Sequence, residues 1–368
     1  MATEANIASF YRALRPLVFL TRPEFAHHAT LALLRFAGAI GPVRAILTRC
    51  YRPRLSPQPV RTMGLTFPNA IGLAAGYDKD GTAWRGLATL GFGHLELGTI
   101  TPLAQPGNPK PRVFRLVQDE GVINRMGFPN RGISHLKRRL FAQPAGAPLL
   151  GISLGKNRAT PLDDAWKDYA GGFRELYGLA DYFAINISSP NTPHLRELQR
   201  EQALRGVLAP LVKERNGLDQ ARGRKTPLLV KLSPDLSSAE LESALAVILS
   251  LGIDGIIVGN TTEARPALLS PDAHETGGLS GAPLNAANTA MIAQVAALTR
   301  AQLPIVASGG ILRPDDALAK LEAGATLLQL YTGLIYYGPA LVRDTVDAVV
   351  RYQAARAAAQ HKSQPVHP

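Results

Sequence analysis

Residues 304–333 read PIVASGGILRPDDALAKLEAGATLLQLYTG. Two short apolar runs, Pro304–Ala307 and Thr326–Tyr331, flank a helical stretch. Each run ends in polar or glycine residues, Ser308-Gly309-Gly310 and Tyr331-Thr332-Gly333. The runs are continuously apolar and not alternating, which marks strands buried on both faces and therefore parallel. Toward the N-terminus the same unit recurs at Ile71–Ala75, His94–Leu97, Leu149–Leu154, Tyr182–Ile187, Leu228–Leu232 and Gly255–Val258. Helical stretches separate the runs, for example Ser238–Ser250 after the start signal Ser237, and Asn285–Arg300. Eight strands with helices between them predict an α/β fold of the (β/α)8 TIM-barrel type over residues 61–352. A six-stranded doubly wound sheet is the alternative.

What precedes the barrel is different in kind. Residues 1–50 read as a small cap of two amphipathic helices, near Ile7–Phe19 and Glu24–Gly38, broken at Thr21-Arg22-Pro23. A Pro-rich connector over residues 51–60 separates cap from barrel, and residues 353–368 read as a frayed or disordered tail. The formal charge is +12, and the cap carries Arg12, Arg15, Arg22, Arg35, Arg44 and Arg49 against only Glu4 and Glu24. Cations beside apolar helices suit an anionic membrane surface; a solvated basic face is the plainer reading. No apolar run reaches the ~20 residues of a membrane span, and no cleavable leader is visible. The scattered basic residues match no nucleic-acid-binding pattern. The lone Cys50 points to a reducing compartment and reads as a bystander.

Barrel enzymes place their chemistry at the C-terminal ends of strands. Here those ends are rich in Asn, Lys, Ser and Gly: Ala75-Gly76-Tyr77-Asp78-Lys79, Gly98-Thr99, Ser153, Asn186-Ile187-Ser188-Ser189-Pro190-Asn191, Lys231, Gly259-Asn260-Thr261, and the two endings quoted first. Gly309-Gly310, the Tyr331-Thr332-Gly333 loop and a third glycine-rich loop, Thr276–Gly281, predict a phosphate-bearing ligand, though each alone would pass for a turn. Asn124, Asn186, Asn191 and Asn260 offer paired donors and acceptors suited to a ring with adjacent C=O and N–H groups, or serve as turn residues. Lys79 and Lys231 point into the same rim and would steady an anion. The fifty or so residues between the second and third strands form a long connection that would overhang the site. Gly91-Phe92-Gly93 precedes a strand and is no dinucleotide fingerprint, and no residue cluster suggests a metal.

Three segments carry a family resemblance: Gly72-Leu73-Ala74-Ala75-Gly76-Tyr77-Asp78-Lys79-Asp80-Gly81, Asn124-Arg125-Met126-Gly127-Phe128 and Asn186-Ile187-Ser188-Ser189-Pro190-Asn191-Thr192. With Thr276–Gly281, Gly309-Gly310 and Tyr331, they resemble the dihydroorotate dehydrogenases over about residues 10–350. The resemblance implies FMN as cofactor and oxidation of dihydroorotate to orotate in pyrimidine synthesis. It implies that Ala75, Gly76, Tyr77, Asp78, Lys79, Thr99, Ser153, Asn186, Lys231, Gly259, Gly281, Gly310, Tyr331 and Thr332 hold FMN. Lys79, Asn124, Arg125, Met126, Gly127, Phe128, Asn186, Asn191, Asn260 and Thr261 would hold substrate.

Ser189 stands where the family keeps its catalytic base. The soluble class has cysteine there, so serine indicates the membrane-associated, quinone-reducing class of bacterial type. Ser189 would take the C5 proton while hydride passes from C6 to flavin N5, with Thr192 and Phe128 beside the proton path. His27, Arg115 and Tyr331 match quinone-tunnel positions, and the expected location is peripheral, on the cytoplasmic face of the bacterial inner membrane. Two departures bear on flavin affinity: Ser153 where many relatives have asparagine, and Gly259 where many have threonine. A phosphate-sugar isomerase or a membrane-docking scaffold on the same barrel are the competing readings; neither explains both the Asn/Lys rim and the cap.

Overall fold

A computed structural model describes residues 2–140 and 147–363 of the chain. Eight parallel strands close a barrel: β1 (Ile71–Leu73), β2 (His94–Ile100), β3 (Leu149–Leu154), β4 (Tyr182–Asn186), β5 (Leu228–Leu232), β6 (Gly255–Val258), β7 (Ile305–Ser308) and β8 (Leu327–Leu330). Each pairs with its sequence neighbours, and β8 returns to β1 through Leu328↔Ile71 and Leu330↔Leu73. The strands are buried almost throughout, Leu149 alone being partly exposed, as their largely continuous hydrophobicity requires. The doubly wound alternative is thereby excluded.

Local signals account for the helix ends. Ser237 opens helix Ser238–Ser250 with a capping box, donating its backbone N–H to Glu240 Oε2 (2.9 Å) and accepting from the Glu240 N–H (3.4 Å). The helix expected to reach Arg300 stops at Leu298, and Arg300 and Ala301 turn back with positive φ.

Three expectations about the periphery need correction. The cap has three helices, α1 (Ala2–Phe19), α2 (Pro23–Ala39) and α3 (Gly41–Tyr51). Gly41-Pro42 reads as a breaker in sequence, yet Pro is tolerated in a helix's first turn, where its missing N–H has no helical partner. The connector is shorter than expected, since Tyr51 ends α3 and Val60 begins a hairpin, Val60–Thr62 with Leu65–Phe67. That hairpin sets Phe67 5.4 Å from His94, at the start of β2, and so closes the N-terminal mouth. The tail is helical as far as Ser363, in one helix from Ala340, because its Ala-rich stretch favours helix intrinsically. Residues 364–368 lie outside the described residues.

The cap sits over the C-terminal mouth. α2 crosses the short helix Trp84–Leu87 that follows β1, where Gly38 and Gly86 allow close approach: a Cβ on Gly38 would lie 2.6 Å from the Gly86 nitrogen. The long β2–β3 connection is more ordered than a loop. Val113–Leu116 and Gly121–Asn124 form a hairpin, and Gly278–Gly281 adds to it as a third antiparallel strand. The third glycine-rich segment therefore includes a strand, Gly278–Gly281, where a loop was expected. Its glycines let it pack against Asn124 and Thr261.

Candidate active site

One continuous cavity of about 360 Å³ runs from the barrel's C-terminal mouth up between the cap helices. Its size suits a small ligand or cofactor. Its floor and sides are polar: Lys79, Thr99, Asn124, Asn186, Ser189, Asn191, Lys231, Asn260 and Thr261. Its far end is apolar, between Val18, Phe19, Leu34 and Leu47 of the cap and Leu334 and Ile335 of the barrel. Ala75, Gly76, Tyr77, Met126, Gly127, Phe128, Gly259, Gly310, Tyr331 and Thr332 complete the wall where the two halves meet, with His27 and Arg115 at the cap.

Four predicted residues are not part of the wall. Asp78 is fully buried and turned away, accepting from the Thr82 and Ala83 N–H groups (2.8 and 2.7 Å), so it shapes the turn after β1. Ser153 lies behind Thr99, with the two hydroxyls 2.9 Å apart. Arg125 pairs with Glu275 (2.6 Å) and stacks on Phe114. Gly281 ends the added strand, and it is Ser280 that faces the cavity and meets the Thr332 hydroxyl at 2.9 Å.

The asparagines divide into two pairs. Asn186 and Asn260 are tied chiefly to each other and to their neighbours. Asn186 Nδ2 donates to Thr99 Oγ1 (2.8 Å), while its Oδ1 accepts from Asn260 Nδ2 and the Ser188 hydroxyl. Asn260 Oδ1 in turn accepts from the Thr261 N–H (2.8 Å). Asn191 Nδ2 donates to Asn124 Oδ1 (3.2 Å). That leaves Asn124 Nδ2 and Asn191 Oδ1 without partners among the described residues. A donor and an acceptor side by side match an amide edge of a ring.

Two lysines supply positive charge. Lys79 Nζ donates to Gly76 O (2.7 Å), and burial lowers its pKa to about 8. Lys231 has no hydrogen-bond partner among the described residues, and burial lowers its pKa as well, with Glu96 opposing the shift. Glu96 is held from below by Gln329 Nε2 (2.8 Å) and the Tyr182 hydroxyl (3.2 Å). An unpaired buried cation costs several kcal/mol unless a ligand compensates it, so the Lys231 ammonium is built to meet an electron-rich group.

Backbone geometry completes the rim. A register shift in β2 between Gly98 and Ile100 brings Thr99 to the wall. Gly76 has φ +102 beside the Tyr331 ring, and Gly310 has φ +73 against the backbone of Asn285; neither suits a side chain. β7 and β8 are paired, so Gly309-Gly310 and Tyr331-Thr332 emerge side by side, the usual phosphate position of such barrels.

Toward the cap, three rings follow one another: His27 to Tyr77 at 5.3 Å and Tyr77 to Tyr331 at 5.5 Å. Burial pushes the His27 pKa down to about 3, so its ring is neutral. Arg115 donates to Phe19 O and Thr21 O (3.2 and 2.8 Å), fixing the turn between α1 and α2.

Ser189 is buried, with its hydroxyl accepting from the Asn191 N–H at 3.3 Å. Its loop is clamped by Arg196, which donates to Ser188 O (3.2 Å) and Thr261 O (3.1 Å) and pairs with Asp235 and Glu263. Sequence reasoning missed Arg196, Asn108 and the inward-facing Glu96 and Gln329. Gln329 carried a signal as the one polar residue of the apolar run Leu327–Leu330, whereas Glu96 shares its strand with His94 and Thr99.

The family model for dihydroorotate dehydrogenase matches residues 59–351. A relative from Thiobacillus denitrificans named dihydroorotate dehydrogenase (quinone) is 47% identical over 93% of this chain and 99% of its own. One of the same name from Halorhodospira halophila is 46% identical over 96% of this chain and 99% of its own. Among solved structures, the dihydroorotate dehydrogenase of Eimeria tenella in complex with ferulenol superposes with a TM-score of 0.84 at 36% identity, covering 91% of this chain and 93% of that one. The family is one of flavin-dependent oxidoreductases. On this agreement of sequence, barrel and cap, the chain belongs to the dihydroorotate dehydrogenase family.

Proposed function

We propose that this chain oxidises dihydroorotate to orotate for pyrimidine synthesis with FMN as its flavin, and delivers the electrons to a membrane quinone. The observation that supports this most is the single cavity, polar at the barrel mouth and apolar between the cap helices. One end suits a charged pyrimidine, the other a hydrophobic quinone.

The donor set fits the cofactor. Lys231 faces the cavity as an unpartnered cation, and the glycine backbones after β7 and β8 suit a phosphate. Ala75, Gly76, Thr99, Tyr331 and Thr332 would line the rest. Bound there, FMN would supply the hydride acceptor and the link to a quinone. Asp78, Ser153 and Gly281 would contribute through the backbone or through their neighbours, and at Gly259 only the backbone is available. Arg125 would act from behind the wall.

The residues themselves perform the rest. The Lys79 ammonium would hold the substrate carboxylate, while Asn124 Nδ2 and Asn191 Oδ1 pair with the ring amide. Asn186 and Asn260 keep that frame rigid, and Met126, Gly127, Phe128 and Thr261 close around the ring. Ser189 would take the C5 proton. A serine hydroxyl is a weak base and must pass its own proton on. Thr192, three residues along, has a buried hydroxyl with no partner among the described residues and is suited to receive it. Phe128 keeps that route dry.

The cap would bind the membrane peripherally. Leu20, Leu33, Phe36 and Ile46 are each more than half exposed, and Arg12, Arg22, Arg35 and Arg44 stand among them. Among the described residues no single helix is long and apolar enough to cross a bilayer; α2 and α3 together have the composition but are bent by 111°. Attachment from the cytoplasmic face of a bacterial inner membrane would put the apolar cavity end at the lipid. Acceptor specificity tests the proposal: the purified full chain should couple dihydroorotate oxidation to a soluble quinone and not to fumarate or NAD. Equal rates with fumarate would overturn it.

A further inference from the structure

Glu24 lies in the first turn of α2, at the start of the cap, far in sequence from every substrate residue. Yet it is only 13% exposed and forms a forked pair with Arg112, which is 8% exposed: Arg112 NH2 donates to Oε1 at 2.7 Å and Nε to the same oxygen at 3.3 Å. The other side of the same guanidinium donates to Pro106 O (2.7 Å) and Asn108 O (2.8 Å). Asn108 is a hub. Its Nδ2 donates to Arg125 O and Asn191 O (3.0 Å each), and its N–H donates to Met126 O (2.9 Å). Gly127 must lack a side chain there, because a Cβ would come within 2.8 Å of the Asn108 amide. Asn191 in turn holds Asn124 and donates to the Ser189 hydroxyl.

We infer that Glu24 is a positioning residue for the dihydroorotate site: through Arg112 and Asn108 the cap holds the Asn124–Phe128 and Ser189–Asn191 segments in register. This rests on the proposed assignment of those segments to substrate. One turn further along the same helix, His27 faces the Tyr77–Tyr331 pair. A single rigid helix thus bears on both ends of the cavity. Charged, forked and largely buried hydrogen bonds are the kind whose loss is felt. The cap serves the pyrimidine end as well as the apolar end.

The test is Glu24→Gln, which keeps shape and removes charge, with Glu24→Ala beside it, in the full-length flavin-loaded chain. Orotate affinity is read from the perturbation of the flavin spectrum, which reports only on loaded, folded molecules. We expect orotate to bind about tenfold more weakly in both variants. The Kd for dihydroorotate in anaerobic flavin reduction should rise with it, while the limiting reduction rate changes little. A merely structural role would lower flavin content and thermal stability but leave orotate affinity in the loaded fraction intact. Orotate affinity within twofold of wild type in either variant overturns the inference. If neither variant loads flavin, Arg112→Lys, which keeps the charge but loses the fork, carries the same expectation and the same refutation. Wild-type protein that is not bleached by dihydroorotate would instead refute the function itself.

Discussion

Ser189→Ala separates chemistry from architecture. Among the described residues the Ser189 hydroxyl takes part in one hydrogen bond, the long one from the Asn191 N–H at 3.3 Å. Asn191 stays tied through its side chain to Asn124 and through its carbonyl to Asn108. Loss of one such bond costs about 1 kcal/mol, so the variant should fold and keep its flavin. The reaction is another matter. Removing a positioned proton acceptor slows turnover by roughly 10²–10⁴-fold, which at ~1.4 kcal/mol per decade raises the barrier by about 3–6 kcal/mol. The assay is anaerobic stopped-flow bleaching of the flavin band at saturating dihydroorotate, with flavin content and thermal melting measured on the same sample. A bleaching rate within tenfold of wild type, with flavin fully bound, would refute the assignment of Ser189.

Further expectations concern charge, packing and the membrane. Only the protonated form of Lys79 can hold a carboxylate, and its pKa in the free chain is lowered to about 8. kcat/KM for dihydroorotate should therefore fall as pH rises through about 8, approaching tenfold per unit beyond it; a flat profile to pH ~10 would contradict the role. Gly278→Ala would drive a methyl group into the Thr261 hydroxyl. We expect a loss of about 1–3 kcal/mol in stability and a raised KM for dihydroorotate, checked by thermal unfolding and steady-state kinetics. Leu33→Asp combined with Phe36→Asp, both on the exposed face of α2, should weaken sedimentation with anionic vesicles while leaving flavin content and dihydroorotate-driven bleaching unchanged. Added salt should weaken the wild-type association too, since arginines supply part of it.

The barrel was legible because parallel strands must be apolar throughout, and each of the eight runs stands out against amphipathic helices. The position of the site followed from where those runs stop. Less legible was anything set by contacts distant in sequence. α3 was hidden behind Gly41-Pro42, which is a stop signal or a start signal according to what packs beside it. Helix in the last stretch was masked by its polar, Ala-rich composition, which also describes loose tails. Asp78 and Ser153 sit in motifs that face the cavity, but a side chain's direction at a strand end depends on local turns that no motif specifies. Asp78 turned back to its own loop, and Ser153 fell behind Thr99. The Glu24–Arg112 pair spans 88 positions, and nothing in either local sequence announces it.

The central claim is that one bound flavin in one cavity serves a pyrimidine at its polar end and a quinone at its apolar end. Anaerobic addition of dihydroorotate to the purified chain should bleach a yellow flavin spectrum, and subsequent addition of a quinone should restore it. A colourless protein that takes up no FMN when supplied, or a flavin that dihydroorotate leaves oxidised, would contradict the account.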